Sequence, residues 1–307
     1  MKKGLFIANV VMVLLLICAC AMDVPFTEGT KTAAREVLLY YPNAQGCVVP
    51  VAARGIVEGN MLDYLTYSEE TAATLVPYGL RPALSQGADL QLSLSGGEAM
   101  VDIVGFSPAS EREERGAVDS VVATLLSRGD IDSVRVLADG GEKTFFGTDI
   151  SQVFTHYVPN AEQGIYSKTA QGVTLYFMDA DTLQLVPVTR YTTQKPDVET
   201  AVLEFIAGPK QGLNLINGLP GEVYLLDIQQ TDAGVALNFS KNFASIMEQE
   251  DVERGVLAAL GMTCTQFDGV ENISIMVEGM QYQPEAEQAV FFNTVYFTGG
   301  NNEDTSK

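Results

Sequence analysis

Val173-Thr174-Leu175-Tyr176-Phe177-Met178-Asp179-Ala180 restates Val37-Leu38-Leu39-Tyr40-Tyr41-Pro42-Asn43-Ala44 from the first half of the chain. Each stretch continues to a short apolar run and an arginine, Val49-Pro50-Val51 to Arg54 and Val186-Pro187-Val188 to Arg190. Further on, Ala99-Met100-Val101-Asp102-Ile103 matches Val235-Ala236-Leu237-Asn238-Phe239, and Arg115-Gly116 matches Arg254-Gly255. Ile131 to Val136 likewise corresponds to Val270 to Ile275, and both runs close on an acidic residue and glycine, Asp139-Gly140 and Glu278-Gly279. A period this long marks a duplicated domain rather than a solenoid. It also supplies an internal control, because any candidate site in one copy can be checked against the other.

The second copy reads more clearly. Val173 to Phe177 is β-branched and aromatic, Asp179 to Thr182 is a turn, and Leu183 to Val188 returns as the second strand of a hairpin. Pro196-Asp197 opens a helix whose Val198, Ala201, Val202, Phe205 and Ile206 fall on one face, and Gly208-Pro209 stops it. Val223 to Ile228 and Val235 to Phe239 form a second hairpin, Asp251 to Thr265 a second helix, and Asn272 to Val277 a last strand. The first copy repeats the order with a clean second helix carrying Val118, Val121, Val122 and Leu125. Its first helix is indistinct and expected over about 57–67. The expected fold class is therefore α+β: two tandem small α/β sandwich domains, each a mixed sheet with two helices on one face.

At 307 residues, 47% hydrophobic and 19% charged, the chain suits two folded domains of roughly 110–130 residues. The expected divisions are 1–19 signal peptide, 20–35 spacer, 36–147 first domain, 148–171 linker, 172–280 second domain, and 281–307 an extra strand (Val290 to Thr298) and polar tail. A net charge of −21 argues against nucleic acid, whose binding requires a cationic surface, and against docking on anionic headgroups. Lys2-Lys3 followed by apolar Leu5 to Ile17 reads as a signal sequence. Ile17-Cys18-Ala19-Cys20 resembles a bacterial lipobox, which implies lipidation of Cys20, with Cys18 as the other candidate. Two acyl chains, at about 0.8 kcal/mol per buried methylene, suffice for stable anchoring, so the expected location is the outer face of the cell membrane. Cys47 and Cys264 have no cysteine counterpart in the other copy; a bridge between them is open, and two unpaired thiols are the simpler reading.

The order Leu-Tyr-Phe, Asp-Ala-Asp, Leu-Val-Pro-Val-Thr-Arg, a helix ending in Ala207-Gly208-Pro209, and Gly218-Leu219-Pro220 before a strand resembles the GerM domain family. Val235 to Ser240, Phe267-Asp268-Gly269-Val270 and Glu278-Gly279 fit its later segments, while copy one lacks the Ala-Gly-Pro helix end. The resemblance implies a ring-building type of domain from sporulation and spore-germination proteins of Gram-positive bacteria. Its implied partners are envelope or sporulation-complex proteins.

Catalytic chemistry finds little purchase. His156, the one histidine, falls in the linker, so a Ser-His-Asp or zinc system has little to draw on. Asp179-Ala180-Asp181 could begin a calcium loop, but Asn43-Ala44-Gln45 at the same turn carries no carboxylate, and turn geometry accounts for both. Glu111, Glu113 and Glu114 in copy one, and Glu248, Glu250, Asp251 and Glu253 in copy two, read as solvated helix entries complementing the macrodipole, rather than as a glycosidase pair. No cofactor or metal is expected, and no catalytic residue. The expected function is a non-enzymatic, membrane-anchored assembly module. The alternatives are a solute-binding lipoprotein serving a transporter, or a cell-wall hydrolase. Candidate interaction residues are Glu199 and Glu204 on the helix 197–206 and Asp251 on the helix 251–265, with an exposed strand around Val235 to Phe239.

Overall fold

A computed structural model describes residues 37–56, 58–162, 170–193, 195–231, 234–284 and 293–297. Cys20, with the signal-like and spacer segments, lies outside the described residues, as does the polar tail from 298 onward.

Each copy opens with an antiparallel hairpin. In the first, β1 (Val37–Pro42) pairs with β2 (Val48–Arg54), Val37 opposite Ala53. Three short helical pieces follow, a 3-10 turn over Glu58–Leu65, α1 (Glu69–Leu75) and a 3-10 turn over Val76–Tyr78. Then come the hairpin of β3 (Asp89–Ser95) and β4 (Glu98–Val104), the long helix α2 (Glu111–Leu126), and β5 (Ser133–Ala138), parallel to β4. In the second copy, β6 (Gln171–Asp179) pairs with β7 (Leu185–Thr192), and α3 (Val198–Ile206) and the two-residue β8 (Leu215–Ile216) follow. After them run β9 (Leu225–Gln230), β10 (Gly234–Phe239), a 3-10 turn over Lys241–Glu248, α4 (Glu250–Cys264), β11 (Asn272–Val277) and β12 (Met280–Gln281). β10 is antiparallel to β9 and parallel to β11. The architecture is α+β in tandem, with the strands of each copy shared between a hairpin sheet and a second, mixed sheet.

One long helix joins the two sheets of each copy: α2 packs on β1 and β5, α4 on β6 and β11. Its stripe supplies buried Val118, Val121, Val122 and Leu125 in copy one, and Val256, Ala259 and Leu260 in copy two. Close approach is set by glycine. A Cβ on Gly255 would fall 2.1 Å from Met178 Sδ, and one on Gly116 would touch Pro42 at 3.4 Å. These are the two glycines of the repeated Arg-Gly pair.

Three local expectations need correction. The first α-helix of copy one is Glu69–Leu75, and the stretch expected at 57–67 is instead the 3-10 turn Glu58–Leu65; Ser68 caps α1 by accepting from Thr71 N at 2.9 Å. At two turns it buries only Thr71 and Leu75, too few positions to print a helical stripe. The strand Val235–Phe239 is not exposed but central, flanked by β9 and β11 and almost wholly buried. Arg54 and Arg190 are not equivalent: opposite Val173 stands Arg190, whereas opposite Val37 stands Ala53. A one-residue slip turns a side chain to the other face of a strand, so Arg190 is buried and Arg54 exposed.

The two copies are not beads on a string. After β5 the chain crosses to copy two, where Thr189 N donates to Pro159 O and Glu162 N to Thr189 O along β7. After β12 the chain crosses the other way, and β13 (Thr294–Tyr296) adds in parallel to β2 of copy one. Each copy's trailing segment thus completes the other's hairpin sheet, and the buried apolar residues of both form one continuous core.

Candidate functional site

The seam between the copies is built from matched positions. Asn43 and Asp179, the same turn residue of the two hairpins, meet there: Asn43 Nδ2 donates to Asp179 Oδ2 at 3.2 Å, both residues buried. Contact between equivalent residues is the mark of a two-fold axis. Two further asparagines obey it. Asn160 Oδ1 accepts from Val48 N, and its Nδ2 donates to Val48 O and Pro187 O. Asn293 Oδ1 accepts from Leu185 N, and its Nδ2 donates to Leu185 O and Pro50 O. Val48 corresponds to Leu185 and Pro50 to Pro187, so each asparagine makes the other's bonds with the copies exchanged.

Three of the four carboxylate oxygens of the acidic turn at Asp179 accept hydrogen bonds. Oδ1 accepts from the backbone of Asp181 and Thr182, Oδ2 takes Asn43, and Asp181 Oδ2 takes Asn214 Nδ2 at 2.9 Å. Asn43 makes the corresponding turn bonds to Gln45 N and Cys47 N. Among the described residues no group of three or more His, Cys, Asp or Glu could hold a metal ion. His156 is exposed, its ring nitrogen 3.4 Å from Thr155 Oγ1.

The helix-entry acids divide: Glu248 and Glu250 are solvated as expected, and the solvated reading fails for two residues. Glu111 and Asp251 are exposed, but Glu114 and Glu253, matched between the copies, are buried. Each holds the chain that trails its own copy. Glu114 accepts from Phe146 N at 2.9 Å and Thr148 N at 3.0 Å, and Glu253 accepts from the Tyr282 hydroxyl. Burial pushes the Glu114 carboxyl up, but those backbone donors outweigh it and hold the group below its ordinary range. Glu114 and Gly116, like Glu253 and Gly255, stand two residues apart and so on opposite sides of the helix, each covered because the helix packs against both sheets of its copy.

Arg190 organises the far end of copy two. Nε and Nη2 clasp Glu162 at 2.7 and 2.8 Å, Nη1 reaches the carboxylate and carbonyl of Glu204, and Nη2 also meets Gly208 O. All five guanidinium donors are used, and the last two carbonyls cap the C-terminus of α3. Lys210 adds a second cation to Glu162 at 3.3 Å. Burial alone would raise the Glu162 carboxyl; Arg190 and Lys210 bring it below its ordinary value. Glu204 is therefore a structural partner and not the freely exposed residue expected. Glu199 is exposed on α3, and Asp251 is exposed at the start of α4, 3.4 Å from Arg254. Both helices touch along their sides.

Cys47 and Cys264 are free and buried. Burial pushes their thiols up to about 11 and about 12, far from the thiolate that reacts. A pocket beside Phe106, Glu114 and Ile150 has a volume of about 40 Å³, and an open one at the Leu94–Glu98 turn beside Asp130 and Ile131 a volume of about 170 Å³. What the surface does offer is apolar area. Leu94, Met100, Phe145, Tyr224 and Met280 are each at least two-fifths exposed.

Residues 38–144 and 174–283 match the family model described as Germane, sporulation and spore germination. The tandem GerMN domains of the sporulation protein GerM from Bacillus subtilis are 22% identical and superpose with a TM-score of 0.67, over 85% of this chain and 99% of that one. The first GerMN domain of the same protein, also 22% identical, matches 39% of this chain and 97% of its own length with a TM-score of 0.34. No curated protein sequence compared with the chain matches it. With both halves of a duplicated chain matched, this protein belongs to the Germane family of sporulation and spore-germination proteins.

Proposed function

We propose that the protein is an exported lipoprotein that acts, without catalysis, as an assembly module of the cell envelope in sporulation or germination. Cys20 carries its lipid anchor and holds it at the outer face of the cell membrane. The observation that supports this reading most is how the buried ionisable groups are spent. Glu114, Glu253, Glu162 and Asp179 each bind a chain segment or a partner side chain, so their polarity serves the fold. Interaction then falls to the surface, and a net charge of −21 suits a basic envelope partner better than another copy of the chain.

Crosslinking and affinity capture of the tagged protein from sporulating cells tests the reading. Glu199→Lys and Asp251→Lys should reduce the captured partner while circular dichroism stays unchanged. A chain that fails to capture any envelope protein, yet gains several degrees of melting temperature with an amino acid, sugar or peptide, would be a solute-binding lipoprotein instead. Labelling with a fatty-acid analogue should mark the wild type and vanish in Cys20→Ala. Label lost only in Cys18→Ala would move the anchor.

A further inference from the structure

The mixed sheet of copy one ends in an open edge. Its order is β3-β4-β5, and β3 pairs with β4 without interruption from Asp89 opposite Val104 to Ser95 opposite Glu98. No described residue pairs with the other side of β3. Leu90, Leu92 and Leu94 stand opposite Ile103, Val101 and Ala99. Directly opposed residues share a face, and those three partners are buried. The leucines therefore lie on the core side of the sheet. Leu90 is half-buried, but Leu92 and Leu94 remain 36% and 50% exposed.

Proteins ordinarily blunt such an edge with proline, lysine, a bulge or a very short strand. β3 has none of these over seven residues. The equivalent edge strand of copy two is different. β9 carries Asp227 in mid-strand, and its register shifts opposite Asn238 and Phe239. Both copies end in an edge strand, and the unblunted one is peculiar to copy one.

Charge narrows the occupant. Residues 82–111 contain no lysine or arginine, while Asp89, Glu98 and Asp102 all belong to the β3–β4 hairpin. Arg135 of β5, 3.5 Å from Glu98, is the cation paired with that hairpin among the described residues. An added strand would meet leucines on one face and an acidic surface on the other.

We propose that β3 is the edge on which a basic partner protein adds an extended segment of alternating apolar and cationic residues. Backbone pairing supplies affinity, and the alternation supplies specificity. Apolar side chains of the segment extend the Leu90-Leu92-Leu94 stripe and cover it. Its lysines or arginines lie on the opposite face, toward Asp102 and Glu98. The proposal rests on the assembly reading and names one surface and one chemistry within it.

The test uses the isotope-labelled chain from residue 21 onward and a synthetic heptapeptide of alternating valine and lysine. The control peptide is identical except for N-methylation of every second amide, which blocks one edge of its backbone while keeping charge and side chains. The plain peptide should shift and protect amides within 89–95, and the N-methylated one should bind at least about tenfold more weakly. Leu92→Asp, which adds negative charge yet puts it on the covered face, should weaken the plain peptide by a similar factor. Equal binding of the two peptides would reduce the effect to bulk charge and overturn the proposal. Shifts confined to other strands would do the same, and so would an edge already protected by pairing with a second copy. If β3 fails in this way while Glu199→Lys and Asp251→Lys still impair capture of an envelope partner, the assembly reading stands and its surface lies on α3 and α4.

Discussion

Asn43 and Asp179, the same position in two copies of one domain, donate and accept a single hydrogen bond to each other at 3.2 Å. That bond lies where a two-fold axis must pass, and the rest of the seam follows from it. Asn160 and Asn293 repeat one another's bonds across it, and the chain leaving each copy is built into the sheet of the other. The duplicated chain behaves as a dimer joined by a covalent link.

Removing the Asn293 side chain should therefore weaken copy one and copy two together. Asn293→Ala leaves Leu185 N, Leu185 O and Pro50 O without that partner in a buried setting. Each unsatisfied group costs about 1–3 kcal/mol, so the loss should reach about 3 kcal/mol in urea unfolding. Tryptophan is absent from the chain, so the transition is followed by far-ultraviolet circular dichroism. It should stay single, and two separated transitions would mean that the copies unfold independently.

The long helices carry a second matched bond. Thr124 Oγ1 accepts from Tyr40 N, and Thr263 Oγ1 from Tyr176 N, both at 3.1 Å. The hydroxyls satisfy the hairpin edge that faces the helix. Thr263→Val keeps the shape and loses the acceptor, so it should cost about 1–2 kcal/mol, with Thr124→Val alike. Hydrogen exchange at Tyr176 N should quicken in the first variant and leave Tyr40 N unchanged.

Stability should fall at acid pH for a named reason. The Glu162 carboxyl, raised by burial but lowered more by Arg190 and Lys210, ends below its ordinary value of 4.5. A group depressed in the folded state contributes fully above its unfolded value and is lost as pH falls through the folded one. Its contribution thus disappears below about pH 4.5. Glu162→Gln should flatten that part of the curve. Asp119 works in the opposite sense: burial, only partly offset by Arg115, lifts it to about 6. Its contribution is complete below the unfolded value of 3.8 and fades as pH rises through about 6. Asp119→Asn should accordingly be more stable than wild type at pH 7.

The thiols should report on opening of the cores. Cys47 and Cys264, buried in different copies and with pKa values raised to about 11 and about 12, should resist a disulfide-exchange reagent at pH 8 in native buffer. Both should react within minutes in denaturant. Prompt native labelling of one alone would reveal local opening of that copy.

Much of the fold was legible because local rules decide it. Val198, Ala201, Val202 and Phe205 fall at helical spacing behind Asp197, whose side chain caps α3 by accepting from Thr200 N at 2.8 Å. The hairpins could be read from alternation and turn residues. Glu114 and Glu253 could not, because a helix entry rich in acids looks the same whether solvent or a returning chain meets it. Glu204 deceived for a similar reason. Its exposed spacing on α3 is real, but Arg190 reaches it from another element.

What the sequence determined alone is the content of one unit and the fact of two: strand, turn and helix propensities act over a few residues, and a duplication repeats them in order. What tertiary structure decided is how the units meet. Parallel addition of β13 to β2, the seating of Asn160 and Asn293, and the bond between Asn43 and Asp179 join residues more than 100 positions apart. Such contacts leave no periodic trace in the chain, because their partners are chosen by the geometry of packed sheets. The exposed edge of β3 belongs with them, since the same alternation of leucine with polar residues would serve a covered strand equally well.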